Sequence, residues 1–198
     1  MSYIYSKISI SQYEKVHYLH APHDERSTIL LLHGINYTSD LWVRTGTIDK
    51  LNQQGHNVYA VDIPSFGYSE KSIRPTYLII NEFLCKNGLK DVILLGPSMG
   101  GRLGLVLAKK YTSLFKALIL IGVPEVHKYI RNLHKIIIPS LLVWGESDHI
   151  SPMTNLELLK KYLKNVKRTH IMKGGHSCYI DNSYFFNVLI SEFIVSLP

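Results

Sequence analysis

Residues 92–101 constrain this chain more than any other stretch. A short apolar run, Val92, Ile93, Leu94 and Leu95, leads directly into Gly96, Pro97, Ser98, Met99 and Gly100, and a helical pattern follows from Gly101. The order strand, Gly-x-Ser-x-Gly, helix demands a reversal so tight that positions two before and two after the serine have no room for a side chain. Gly96 and Gly100 occupy those positions. Such a turn lifts the serine hydroxyl clear at the carboxyl edge of a sheet. A hydroxyl is a poor nucleophile unless it is held beside a base, with donors waiting for an oxyanion. The turn therefore sets a fold element and also a search for the base, the acid that orients it, and the donors.

The rest of the chain supplies the sheet. From residue 28 onward, strand-like runs at 28–32, 57–61, 92–95, 117–121, 140–144 and 168–171 alternate with helical stretches near 41–54, 73–86, 101–110, 153–163 and 184–195. This alternation predicts an α/β three-layer sandwich, a mostly parallel sheet with helices on both faces. Near-continuous apolar character in several runs fits strands buried on both sides. Residues 1–20 alternate loosely, as in Tyr3-Ile4-Tyr5 and Val16-His17-Tyr18, and suit an antiparallel hairpin at one edge. With 198 residues and no internal repeat, low-complexity stretch or linker, one domain over 1–198 is the simplest account.

Composition narrows the setting. Two cysteines, Cys85 and Cys178, offer no disulfide framework, which points to a reducing compartment. The first residues lack the uninterrupted apolar core of a signal peptide, and the longest apolar runs are far too short to cross a bilayer. The expectation is a soluble cytoplasmic protein with no membrane partner. Twenty-two Lys+Arg against 15 Asp+Glu give a net charge of +7, which suits either an anion-binding surface or a plain solvated one. The densest cluster, Lys160, Lys161, Lys164, Lys167 and Arg168, lies on and after a helix whose Leu156, Leu159 and Leu163 look inward. Those cations form its outer face, and without interleaved aromatics no nucleic-acid partner is expected.

In a parallel α/β sheet the working groups sit on loops at the carboxyl ends of strands. Two later loops meet that requirement. Leu141-Leu142-Val143-Trp144 runs into Gly145-Glu146-Ser147-Asp148, and Ile171-Met172 runs into Lys173-Gly174-Gly175-His176. Asp148 competes as the acid with Glu125, which follows the run at 117–121, and with Glu146. Asp181 is near the histidine but suits a helix N-cap region better.

This combination resembles the α/β-hydrolase superfamily over nearly the whole chain. The resemblance is carried by Leu32-His33-Gly34-Ile35, by Val61-Asp62-Ile63-Pro64-Ser65-Phe66-Gly67-Tyr68-Ser69, by the serine turn, by Trp144-Gly145-Glu146-Ser147-Asp148 and by Gly175-His176. Within it, the chain is most similar to the small CIB-type hydrolases. The Leu-His-Gly-Ile loop, the proline before the serine, and Met172-Lys173-Gly174 followed by Gly175-His176-Ser177-Cys178-Tyr179-Ile180-Asp181 carry that likeness. The resemblance implies Ser98 as nucleophile, His176 as general base and acid, and Asp148 as the orienting acid. It also implies an oxyanion hole from the backbone N–H groups of Met99 and Ile35, where Gly34 lets the backbone approach a ligand. His33 reads as a structural histidine that holds this loop, with a second base as the competing reading. Pro97 stands where many relatives carry a polar or aromatic residue, and Ser65 where they often have glycine.

Many members insert a helical cap after the strand equivalent to 117–121. Here residues 122–139 leave room only for a short helix around 126–135, so a minimal or absent cap and an open site are expected. Pocket walls are expected from 35–42, 66–68, 123–129 and 150–153, with Tyr37 at the mouth and Trp42 either there or in the core. An open site favours short or protruding acyl groups. No cofactor is implied, and Ser147-Asp148-His149 lacks metal-ligand spacing.

The leading expectation is a serine hydrolase that cleaves a small-molecule carboxylic ester or thioester through an acyl-enzyme. The alternatives are acyl transfer to an acceptor other than water, a ligand-binding protein on a hydrolase fold, and a lyase that uses the same groups as a base. The sequence sets no oligomeric state.

Overall fold

The computed structural model describes residues 4–11, 14–24 and 26–198; Tyr3 of the expected hairpin lies outside them. Eight strands form one sheet: β1 (Ile4–Ser11), β2 (Glu14–Ala21), β3 (Thr28–Leu32), β4 (Asn57–Val61), β5 (Val92–Pro97), β6 (Phe115–Ile121), β7 (Ser140–Gly145) and β8 (Val166–Met172). Their order is β1-β2-β4-β3-β5-β6-β7-β8. The β1–β2 and β2–β4 pairs are antiparallel, and every pair from β4 to β8 is parallel. The hairpin read from residues 1–20 thus forms the edge of the sheet.

The helices are α1 (Leu41–Arg44), α2 (Thr47–Gln53), α3 (Thr76–Lys86), α4 (Ser98–Lys110), α5 (Met153–Tyr162), α6 (Cys178–Asp181) and α7 (Ser183–Val195). Successive strand residues point to opposite faces, so the central strands feed two cores. Leu30, Leu32, Leu94, Leu118 and Leu120 pack with Phe83 of α3, Leu105 of α4 and Leu159 of α5. Ile29, Leu31, Ile93, Leu95 and Ile119 pack with Trp42 of α1, Leu51 of α2 and Phe186 of α7. This is the three-layer sandwich predicted from the alternation. Each fully buried Leu or Ile contributes about 1.5–3 kcal/mol, so the strands beneath the site are its most rigid support.

Three local readings are corrected. The helix expected at 41–54 is two helices, broken where Gly46 takes φ +66°. The helix expected at 73–86 begins only at Thr76, because the residue before Pro75 is driven out of the helical region, and Ile73 is fully exposed. The short helix expected at 126–135 is two 3-10 turns, Val126–Lys128 and Leu133–Lys135, split where Asn132 turns left-handed at φ +69°. These turns are all that separates β6 from β7 above the sheet, so no helical cap covers this end. No described helix is long and apolar enough to cross a membrane.

Candidate active site

The turn at Ser98 is built by exclusion of side chains. A Cβ on Gly96 would lie 2.6 Å from the Gly100 carbonyl, and one on Gly100 would lie 2.9 Å from the His33 carbonyl. Gly101 is as confined, with a Cβ 2.6 Å from Val123 Cγ2. These contacts seat the start of α4 directly against the end of β3. Ser98 itself takes φ +50°, a left-handed conformation that costs a non-glycine residue on the order of 1–3 kcal/mol and persists because its surroundings over-determine it. Pro97 sits at φ −85°, ψ 149° at the last position of β5, an extended conformation close to the φ its ring prefers. As the second residue of α4, Met99 presents an N–H with no intrahelical acceptor.

Asp148 and His176 stand on the loops after β7 and β8. His176 Nδ1 meets Asp148 Oδ2 at 2.9 Å. The other carboxylate oxygen accepts the N–H groups of Ile150 at 3.0 Å and Ser151 at 2.7 Å. With Nδ1–H donating to the carboxylate, the second nitrogen of the neutral ring is left as an acceptor. The Asp148 side chain is 1% exposed and that of His176 19%, so one end of the pair is dry and the other open. The acid loop is pinned in turn: Trp144 Nε1 donates to the Ser151 carbonyl at 2.7 Å, and Ser151 Oγ donates to the Val123 carbonyl at 2.6 Å.

Ser98 and His176 line one cavity of about 140 Å³, together with Gly34, Ile35, Tyr37, Ile150 and Tyr179. On the far side of Met99 lies a second recess of about 320 Å³, walled by Ile63, Phe66, Tyr77, Arg102 and Tyr129. Of the four expected walls, those at 35–42 and 150–153 line the Ser98 cavity through Ile35, Tyr37 and Ile150, whereas Phe66 and Tyr129 wall the separate recess instead. Trp42 is not at the mouth; it is buried in the core beside Tyr179. Burial, with Tyr37 beside it, raises the pKa of the Tyr179 hydroxyl above its ordinary value. Burial and the neighbouring Asp148 push the Cys178 thiol up to about 11, which keeps it protonated and unreactive at neutral pH.

His33 is wholly buried, and both ring nitrogens are taken. Nδ1 bonds the Gly34 carbonyl at 2.8 Å, and Nε2 accepts the Ile63 N–H at 2.9 Å. Burial lowers its pKa, so it is a neutral clamp between the loops after β3 and β4. This geometry leaves no nitrogen for service as a second base. Among the competing acids, Glu125 pairs with Arg102 and Lys128 rather than with His176. Glu146 and His149 are exposed, and Asp181 ends α6 at the surface instead of capping a helix start.

Further residues shape this end of the sheet, and the roles of Gly122, Gly145 and Asp62 were not read from the sequence. Gly122, at φ +49° just after β6, lies beneath the acid–imidazole bond: a Cβ there would be 3.0 Å from Asp148 Oδ2 and 3.2 Å from His176 Nδ1. A Cβ on Gly145 would lie 2.1 Å from the Gly175 carbonyl, so its absence lets the acid loop pass the histidine loop. Asp62 forms a second acid–imidazole pair with His17, Nδ1 to Oδ2 at 2.9 Å, and also accepts the Ser39 and Tyr68 N–H groups. Ser65 takes φ +74°, the conformation that a glycine there would adopt more easily, and its Oγ accepts the Ser72 N–H at 3.2 Å.

A three-layer sandwich with a left-handed serine between β5 and its helix, and no cap between β6 and β7, defines a class. The alpha/beta hydrolase fold family matches residues 27–134 and 125–183, and the chain belongs to that family. It is of the small, cap-less kind: it matches a predicted CIB-like hydrolase from Thermoplasma acidophilum with a TM-score of 0.92 and 25% identity, covering 100% of both chains. It is also 30% identical to the Homo sapiens protein named "Putative protein-lysine deacylase ABHD14B", over 87% of this chain and 85% of that protein. Protein ABHD14A of Homo sapiens is 27% identical over 87% of this chain, which spans 66% of that relative's length.

Proposed function

We propose that this chain is a serine hydrolase that cleaves short carboxylic esters or thioesters through an acyl-enzyme on Ser98. The observation that carries the reading is one cavity shared by a left-handed Ser98 and by His176, whose other nitrogen is held at 2.9 Å by buried Asp148. In the acylation step Ser98 Oγ attacks the carbonyl carbon while its proton passes to His176 Nε2. The C–O or C–S bond then breaks as the imidazolium returns that proton to the leaving group. Water repeats the sequence to release the acid and regenerate Ser98. Asp148 holds the ring and stabilises the imidazolium. The N–H groups of Met99 and Ile35 are assigned to the oxyanion, Met99 with the further support of a helix start, where negative charge is favoured.

Cavity size supports a short acyl group, since about 140 Å³ is well below the 300–1,000 Å³ typical of drug-sized ligands. The uncapped mouth, rimmed by exposed Ile35 and Ile150, suits an acyl group carried on a protruding stem. That second feature favours a second reading, in which the acyl group is borne by a long side chain such as lysine. The name of ABHD14B accords with it. The test is hydrolysis of p-nitrophenyl esters from acetate to decanoate by the wild type and by Ser98→Ala. Short-chain activity that vanishes in the variant supports the reading; activity retained in Ser98→Ala refutes it.

A further inference from the structure

A cavity of about 490 Å³ opens at the amino-terminal ends of the strands, one sheet length away from Ser98. With β5 six residues long, that separation is about 20 Å. Its lining brings together Arg26 and Thr28 at the start of β3, His56 before β4, Lys90 before β5 and Lys116 at the start of β6. Among the described residues, none of these three cations has an ion-pair partner. Among the described residues Asp91 is the one carboxylate on the lining, against three cations. Lys160, on the outer face of α5, is by contrast paired with Glu157.

His56 and Thr28 belong to the polar part of the lining. His56 is 3% exposed, and its Nδ1 is buried without a hydrogen-bond partner. An unpaired buried polar atom costs about 1–3 kcal/mol. Burial, reinforced by the charge of Arg26, holds the imidazole below its ordinary pKa despite a backbone hydrogen bond to Ser27. Thr28 Oγ1 accepts from Asn57 Nδ2 at 3.3 Å, which leaves its own O–H free to donate. Convergent cations and a free hydroxyl lack the same thing, an anion with several oxygens.

We propose that this cavity is a binding site for the phosphate or diphosphate group of a small molecule, held by Arg26, Lys90, Lys116 and the Thr28 hydroxyl. A single carboxylate is outnumbered by these donors, whereas a phosphate offers oxygens for a guanidinium fork and for two ammonium groups at once. The cations are gathered in a recess flanked by Ile194 and Leu197 rather than strung along a surface, which fits a small ligand better than a nucleic-acid backbone. The proposal stands apart from the chemistry at Ser98.

Calorimetry of the full chain with inorganic pyrophosphate at low salt tests it. Saturable one-to-one binding is expected, weakened by about tenfold or more in Lys90→Gln/Lys116→Gln, the loss of one or more charged contacts. Lys160→Gln/Lys161→Gln and Ser98→Ala are expected to bind as the wild type does. No saturation, or an equal loss in Lys160→Gln/Lys161→Gln, overturns the proposal. Imidazole NMR of the wild type provides an arm independent of any variant. Pyrophosphate is expected to move the His56 resonances and leave those of His176; the reverse places the anion at Ser98 and refutes the site. ADP binding tighter than pyrophosphate assigns an organic phosphate as the ligand, and equal or weaker binding assigns the inorganic anion. A single-stranded oligonucleotide that displaces pyrophosphate at lower concentration than ADP does overturns the small-molecule assignment.

Discussion

His176 and His17 each place Nδ1 at 2.9 Å from an aspartate oxygen, Asp148 in the first case and Asp62 in the second. The likeness goes further. Both carboxylates are buried, and both also accept two backbone N–H groups, from Ile150 and Ser151 or from Ser39 and Tyr68. What differs is the far side of each ring. His176 borders the Ser98 cavity, whereas His17 packs edge-on against Tyr68, 5.2 Å between ring centroids, and beside Tyr5. The second pair ties β2 to the loops after β3 and β4 and steadies the segment that carries Ile35. A carboxylate–imidazole bond is therefore no signature of chemistry by itself; the surroundings of the other nitrogen decide.

The comparison can be broken at defined points. Ser98→Ala has the largest expected effect, a loss of about 10⁶ in kcat with the fold intact, measured by ester hydrolysis alongside circular dichroism. Asp148→Asn is expected to lower kcat by about 10⁴ through ring tautomer and orientation, because its Oδ2 meets only His176 and the change leaves Oδ1 to its two N–H donors. A near-normal kcat would take the orienting role away from Asp148. Gly122→Ala places a methyl against both partners at a left-handed position, and a loss of about 10² in kcat is expected from the displaced pair.

Asp62→Asn sharpens the contrast from the other side. Its Oδ2 accepts from both His17 and Tyr68, so an amide NH₂ there confronts a donor, and stability is expected to fall by about 1–3 kcal/mol in urea titration. Activity per folded molecule is expected to stay within about tenfold, since no reacting group is touched. A loss as large as that of Asp148→Asn would erase the distinction.

The smallest effect is the pH dependence of stability from His33. Burial depresses its folded pKa below the ordinary 6.5, so the unfolded chain takes up a proton that the folded chain refuses. This contribution is intact above about pH 6.5 and declines as pH falls below it, a direction that His56 shares. Urea midpoints measured through that window are expected to drop on acidification, with a shallower slope in His33→Gln. A midpoint that rises on acidification would contradict the buried neutral assignment.

The parts of this architecture that were legible in the sequence are those that sterics or periodicity force locally. Gly96 and Gly100 announce their turn because no other residue fits, and the apolar runs announce buried parallel strands. Asp148 and His176 were legible because each ends a strand run in a short loop. Gly122 was not, since a glycine after a strand looks like any turn until the groups packed above it are known. The Asp62–His17 pair was hidden for a topological reason. It joins residues 45 apart through the β2–β4 register, Tyr18 opposite Val61, which no local pattern encodes. The breaks at Gly46 and Asn132 depended on left-handed backbone positions that amphipathic periodicity does not report.

Acid-quench mass spectrometry during p-nitrophenyl acetate turnover tests the central claim most directly, run on wild type, Asp148→Asn and Asp62→Asn. The account predicts one acetyl group on the Ser98 peptide in the wild type, the same adduct in folded Asp62→Asn, and a greatly slowed appearance in Asp148→Asn. An adduct on another residue, or equal rates in the two aspartate variants, would contradict it.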